Sequence, residues 1–189
     1  MDKSKFSIIP NIIDGSLSLD YQLIIRKAIS ILELTPGQFY AMIKIMFMIG
    51  IFVFFGLFFV SAGYGKFQNS SKIWSYFVLP NKIAWVLMEC PVFIVMMVFF
   101  LNALFIENEK RSINLGTLVS FILFQFHYFQ RSFVFPLLIK GKSKMPIVIM
   151  MMGALFNTCN GILQGNWLFN ISNENLYDDL FTKPTFYLG

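Results

Sequence analysis

Two groups of residues in this chain could do chemistry: Glu89, set inside an apolar run, and His127-Tyr128-Phe129-Gln130-Arg131, near the end of another. A carboxylate, a phenol, an imidazole and a guanidinium can move a proton, hold a charge or polarise a carbonyl. Inside an apolar segment each of them needs a partner, a cavity or a purpose. An ionised Glu at the centre of a membrane span costs on the order of 2.5–3.5 kcal/mol on insertion scales, so a hydrogen-bond partner or a wet pocket is expected around Glu89. Tyr128 is its candidate partner. Arg131 can snorkel to the interface, which makes its charge alone uninformative, and His127 reads more readily as a packing histidine than as a catalytic one. A third set, Asn157, Asn160 and Gln164 at spacings of three and four with Gly161 and Gly165 beside them, fits helix packing with amides bonded across the interface. Asn160 and Gln164 could equally join His127 and Arg131 in a supporting polar network. Cys90 and Cys159 lie in apolar runs without metal-site spacing, and no metal site is expected.

The elements that must position these groups are membrane helices. The chain is 57% hydrophobic and 13% charged, with 24 Phe and a net charge of +5, where ordinary soluble domains carry about 25% charged residues. Its Lys and Arg residues sit between apolar runs and form no basic stripe, which argues against a nucleic-acid partner. Four runs are long enough for a span of about 20 residues: Ile45–Gly65, Ile83–Ile106, Ser112–Ile139 and Met145–Asn173. Ahead of them, Leu19–Leu34 carries Leu23, Ile24, Ala28, Ile31 and Leu32 at helical spacing and reads as an interfacial amphipathic helix. Thr35-Pro36-Gly37 ends it. The expected organisation is an N-terminal segment, 1–38, followed by a multi-span domain, 39–189. At 1.5 Å per helical residue, Glu89 lies about 9 Å inside the start of the second run and Tyr128 about 24 Å from the start of the third, so the two share a depth.

Lysines set the orientation. Lys66, Lys72 and Lys82 follow the first run and Lys140, Lys142 and Lys144 follow the third, so those two loops are expected on the cytoplasmic side. The loop after the second run mixes Lys110 and Arg111 with Glu107 and Glu109, the one after the fourth is acidic, and both are expected on the opposite side. Of the sequons Asn69-Ser70-Ser71 and Asn170-Ile171-Ser172, only the second should face the lumen.

At this level of detail the residues carry a resemblance. Leu79-Pro80-Asn81-Lys82-Ile83-Ala84-Trp85-Val86-Leu87-Met88-Glu89-Cys90-Pro91 resembles the L-P-x-R-x-A-W-x-x-x-E-x-P segment of the steroid 5α-reductase family (3-oxo-5α-steroid 4-dehydrogenases), with Gly63-Tyr64-Gly65-Lys66 at a similar distance before it. His127-Tyr128-Phe129-Gln130-Arg131-Ser132 resembles its H-Y-F-H-R-T segment, and Asn160-Gly161-Ile162-Leu163-Gln164 its N-G-x-x-Q segment. The similarity runs from about Ser61 to Gly189.

What the resemblance implies is an all-α, multi-pass protein of the endoplasmic reticulum membrane. It corresponds to the front half of a seven-span fold: four transmembrane helices, the start of a fifth, and the N-terminal amphipathic helix. It implies a reductase that moves a hydride from NADPH to the double bond of a 4-ene-3-oxo steroid, with steroid and membrane lipid as partners. Glu89 and Tyr128 fall on the catalytic positions that hydrogen-bond the 3-oxo group, and Trp85 and Met88 on the substrate slot. Met88, Gln130 and Lys142 depart from the residues usual at their positions, which leaves the substrate open. The family's cofactor motifs, of the N-I-x-S-D and N-Y-x-G-E type, have no counterpart here, nor is there a G-x-G-x-x-G or P-loop. The expectation is therefore a truncated chain, missing the cofactor-binding portion and showing no turnover by itself. A non-catalytic membrane interaction protein or pseudoenzyme is the alternative from another class. Reductases of polyprenols or enoyl thioesters are the nearer enzymatic ones, and a transporter is weaker because no internal repeat is visible.

Overall fold

The structure, a computed structural model, describes residues 19–59, 77–105, 113–141, 143–173 and 176. Gly63–Lys66, Lys72, the first sequon, Glu107 to Arg111, Lys142, the acidic segment after the fourth run and the expected start of a fifth span lie outside them.

Helix α1, Leu19–Leu32, opens with Asp20 in its first turn, where a carboxylate complements the helix dipole. It ends at Leu32, and Thr35 with Gln38 forms a reciprocal cap on the next helix. The Thr35 N–H and Oγ1 both donate to Gln38 Oε1 at 3.0 Å, and the Gln38 N–H donates to Thr35 Oγ1 at 3.4 Å. Helix α2, Pro36–Phe59, therefore starts with Pro at its first position, well before the apolar run beginning at Ile45. Strand β1, Val78–Pro80, leads into helix α3, Asn81–Phe105. Helix α4, Leu115–Phe129, is capped by Asn114, whose side chain accepts from the Thr117 N–H at 2.7 Å. It passes through a π-helical turn, Gln130–Val134, into the short α5, Phe135–Leu138. Strand β2, Lys144–Pro146, precedes helix α6, Ile147–Asn166, which ends in a second π-helical turn, Trp167–Ile171.

Three of these helices are long and apolar enough to cross a membrane, Pro36–Gly56, Asn81–Leu104 and Ile147–Ile171. The architecture is thus a mostly helical membrane protein with three such spans in place of the four expected. The third apolar run is helical from Leu115 to Leu138 but is not among them, because Gln125, His127, Gln130 and Arg131 dilute its apolar character. It is not a regular helix either. Pro136 has no N–H for the carbonyl four residues back, and the chain widens to i→i−5 bonding just before it, with the Phe135 N–H reaching Gln130 O.

The two strands pair antiparallel, Val78 with Pro146, Leu79 with Met145 and Pro80 with Lys144. This pairing puts the starts of α3 and α6 side by side, so the two helices run parallel away from it. Their contact is built on a ridge of α6, Gly153, Asn157, Gly161 and Gly165, facing Met88, Val92, Val95 and Phe99 of α3. A Cβ at Gly165 would collide with the Phe99 ring and one at Gly161 would press on Val95 and the Val92 backbone. In lipid, close approach through small residues is what drives such pairing.

At the end away from the strands lies the apolar core: Val95, Met96, Phe99 and Ala103 of α3, Phe121 of α4, Leu168 and Phe169 after α6, and Ile29 of α1. Phe100 and Phe121 stack there at 4.1 Å. Helix α1 is helical where the periodicity places it and is docked on this core, with Ile29 buried while Tyr21, Leu23, Ile24 and Ile31 remain exposed. Helix α2 is held near its start, where buried Phe39 stacks on Trp167. The rest of it, from Tyr40 to Phe59, exposes most of its large apolar side chains, as a lipid-facing span does.

Candidate active site

Glu89 sits about 12 Å along α3 from Asn81, and Tyr128 about 15 Å back from Leu138 at the 1.5 Å rise, so both lie in the half of the bundle nearer the strands. Glu89 is 1% exposed. Its Oε2 accepts from Arg131 Nε at 2.9 Å and from Asn157 Nδ2 at 3.1 Å. The same Asn157 amide donates to the Met88 carbonyl at 2.8 Å, which fixes it against the α3 backbone. Arg131 thus does more than reach the interface. From the π-helical turn it spans to a buried carboxylate and pairs with it, its own side chain staying half-exposed. Its guanidinium also lies over the indole of Trp85, 5.6 Å from the ring centroid, and Trp85 in turn packs on Phe135 at 4.9 Å.

Tyr128 is half-buried, with its hydroxyl accepting from Asn160 Nδ2 at 2.8 Å. A hydroxyl has one proton to give and two lone pairs, so this bond leaves the phenolic proton free for another acceptor. Phe124 packs on the Tyr128 ring at 4.7 Å. Helix α6 therefore supplies one amide to each of the two candidate catalytic groups, Asn157 to Glu89 and Asn160 to Tyr128, from positions three apart on one helix face.

Of the residues singled out in the sequence, Glu89, Arg131 and Trp85 form one cluster and Tyr128 and Asn160 a second, bridged by α6. His127 and Gln164 are exposed and join neither; His127 touches the Tyr128 ring edge-on. The Met88 side chain lies over Gly153 in the helix contact. Asn157 belongs to the cluster although the sequence offered it only as packing. Its spacing of three from Asn160 was the available signal. Three buried polar atoms beside this region have no partner among the described residues: Trp85 Nε1, Gln125 Oε1 and Ser132 Oγ. Gln125 uses its amide on the Phe93 carbonyl at 3.3 Å. An unpaired buried donor is costly, and the indole N–H next to the ion pair is one a bound polar group could satisfy. No cluster of three His, Cys, Asp or Glu that could hold a metal occurs among the described residues.

A cavity of about 450 Å³ opens at the strand end, lined by Pro80, Asn81, Lys82, Ile83, Gly141, Ser143 and Lys144. It contains none of the site residues.

These features define a class, a helical membrane protein with a buried, ion-paired carboxylate and, in a second cluster, a phenol that accepts from an asparagine amide. No protein-family model matches the chain. Individual relatives do: it is 34% identical over 132 residues to the 3-oxo-5-alpha-steroid 4-dehydrogenase 1 of Bos taurus, covering 69% of this chain and 48% of that one. To the human 3-oxo-5-alpha-steroid 4-dehydrogenase 2 it is 34% identical over 129 residues, 68% of this chain and 47% of that one. The steroid 5-alpha-reductase DET2 of Arabidopsis thaliana is 30% identical over 127 residues, 64% of this chain and 44% of that one. The chain is related to the steroid 5α-reductase family, as its motifs indicate, and spans about half the length of the curated relatives it matches.

Proposed function

We propose that the chain forms the carbonyl-binding portion of an NADPH-dependent 3-oxo-4-ene steroid reductase of the endoplasmic reticulum membrane. What supports this reading is a buried, charge-compensated Glu89 and, in a second cluster served by the same helix α6, a phenol that accepts from Asn160 and whose proton has no acceptor among the described residues. Reduction of an enone builds negative charge on the carbonyl oxygen as hydride reaches the β-carbon, and a fixed donor at that oxygen stabilises the change. Tyr128 is that donor. Glu89, already accepting from Arg131 and Asn157, acts as a fixed negative charge that holds Arg131 in place beside Trp85.

NADPH, when bound, supplies the hydride. Among the described residues, the half-exposed Arg131 and the unpartnered Trp85 indole N–H are the groups that would meet a polar part of the ligand. In this reading the helix Leu115–Leu138 also crosses the bilayer, giving four spans, because it must return the chain from the far end of α3 to the strand end. Its Arg131 is compensated by Glu89 and its Pro136 lies near the interface.

The test places the chain in nanodiscs and measures binding of a radiolabelled 3-oxo-4-ene steroid, alongside a chimera in which residues 77–173 replace the matching segment of the human type 2 relative. Saturable binding by the chain and steroid reduction by the chimera are expected. A folded chimera that binds NADPH but no steroid would refute the reading.

A further inference from the structure

The sequence of helix α6 fits packing or, at Asn160 and Gln164, a supporting polar network, and two of its amides, Asn157 and Asn160, end on the two groups that the proposed chemistry uses. We propose, resting on the steroid-reductase reading, that Asn157 and Asn160 are separate positioning residues, Asn157 fixing the Glu89 carboxylate and Asn160 directing the Tyr128 proton toward the substrate.

The argument is one of donor and acceptor accounting. An asparagine amide nitrogen is a donor only. Placed 2.8 Å from the Tyr128 oxygen, it occupies a lone pair and cannot receive the phenolic proton, so that proton must point elsewhere. The same contact supports the oxygen as negative charge grows on it. An acceptor at position 160 would do the reverse, drawing the proton to itself and away from a carbonyl. Asn157 acts differently. One of its N–H bonds is anchored on the Met88 carbonyl and the other on Glu89 Oε2, so it ties the carboxylate to the backbone of its own helix. Asn157 sits on the ridge whose glycines bring α6 against α3, so the close approach of those two helices also sets its donor distances, while Asn160 reaches across to α4.

The experiment uses the full chain in nanodiscs, with 13C at tyrosine Cζ and glutamate Cδ and the Tyr128 and Glu89 signals assigned by Tyr128→Phe and Glu89→Gln. Asn160→Leu is expected to displace the Tyr128 signal and leave that of Glu89. Asn157→Leu is expected to do the opposite. Gln164→Leu, one turn from Asn160 but exposed, should move neither. If Asn157→Leu and Asn160→Leu moved both signals alike, or moved neither, the assignment would be overturned in favour of general packing.

A second arm adds a 3-oxo-4-ene steroid and reads its carbonyl stretch by difference infrared spectroscopy. The parent should lower that frequency. Asn160→Asp, nearly the same shape but offering an acceptor, should return it to the free value with affinity within about threefold, a difference under about 1 kcal/mol. Asn160→His, whose Nδ1–H can stand where the amide N–H does, should restore the lowered frequency. An undiminished shift in Asn160→Asp would overturn the directing role. A parent that binds no steroid refutes the reductase reading and leaves the isotope shifts to decide the positioning roles.

Discussion

The Glu89–Arg131 pair shows how burial changes what a residue can do. A carboxylate 1% exposed with a guanidinium at 2.9 Å is an acceptor and a charge, and the proton for a carbonyl must come from another group. In the proposed reading Tyr128 is that group, so the two residues should fail differently. Tyr128→Phe removes the donor alone, and loss of one oxyanion-type donor typically lowers turnover about a hundredfold to a thousandfold. Glu89→Gln keeps the shape but leaves Arg131 unpaired beside Trp85, so its effect should appear in substrate and cofactor affinity as well as in turnover. Measured in the chimera, equal KM for Tyr128→Phe with raised KM for Glu89→Gln is the expected split. Turnover within about threefold of the parent for both would return them to packing roles. Glu89 and Tyr128 were legible in the sequence because ionisable groups in apolar runs stand out. Arg131's partner was not, since snorkelling and ion pairing look alike from one chain position. Asn157 was hidden because an amide in a glycine-rich helix fits packing equally well.

At the scale of elements, the apolar runs located the helices but not their ends. Those ends are set by polar caps that hydropathy does not register, such as Thr35 with Gln38 and Asn114 with Thr117. The clearest case is Asn166, fully buried at the end of α6. Its Oδ1 accepts from the Leu34 N–H at 2.9 Å and its Nδ2 donates to the Leu32 carbonyl at 2.9 Å and the Ile162 carbonyl at 2.8 Å. One side chain so far along the sequence satisfies backbone groups left open where α1 ends, which is why α1 is docked rather than lying free at the interface. Asn166→Ala should leave those groups unpaired at a cost of about 1–3 kcal/mol and speed hydrogen exchange at Leu34, with α4 amides unchanged. Unaltered exchange at Leu34 would mean that Ile29 alone holds the helix. The glycine ridge gives a second element-scale test. Gly165→Ala adds a methyl into the Phe99 ring and should destabilise by about 1–3 kcal/mol, as overpacking does. Gly56→Ala, with nothing within 4 Å, should be neutral or slightly stabilising from helix propensity. Thermal unfolding in micelles ranks the pair, and an equal response would show that the α3–α6 contact is not rigid.

For the whole molecule the question is how many times the chain crosses. Strand pairing makes the question answerable, because Val78 opposite Pro146 places the segment before α3 and the segment before α6 at one end of the bundle. The Ile147 N–H donates to the Phe77 carbonyl at 2.9 Å, and the Asn81 N–H to the Ser143 carbonyl at 3.1 Å, locking those segments together. Lysine counting in the loops had put both on one side, and the hydrogen bonds supply a physical reason for it. A chain that leaves this end along α3 and starts again from it along α6 must come back between them. Leu115–Leu138, about 36 Å of helix at 1.5 Å per residue, matches a hydrocarbon core of about 30 Å. Cysteines introduced singly at Phe77, Ser143 and Ile113 should therefore label from opposite sides with an impermeant reagent, the first two together and Ile113 alone. Reaction of Ile113→Cys from the same side as Ser143→Cys would mean that the chain does not cross along α3 and return along the polar helix, and would overturn the four-span reading. The second sequon tests the same geometry from the far end. Asn170 lies within the π-helical turn, and its amide donates to Asn166 Oδ1 at 3.1 Å. Glycosylation needs an exposed, extended acceptor, so Asn170 is expected to remain unmodified in microsomes even though its end of α6 is the lumenal one in this orientation. Asn166→Ala, which frees the Asn170 amide, is the variant in which modification should first appear as a shift in gel mobility.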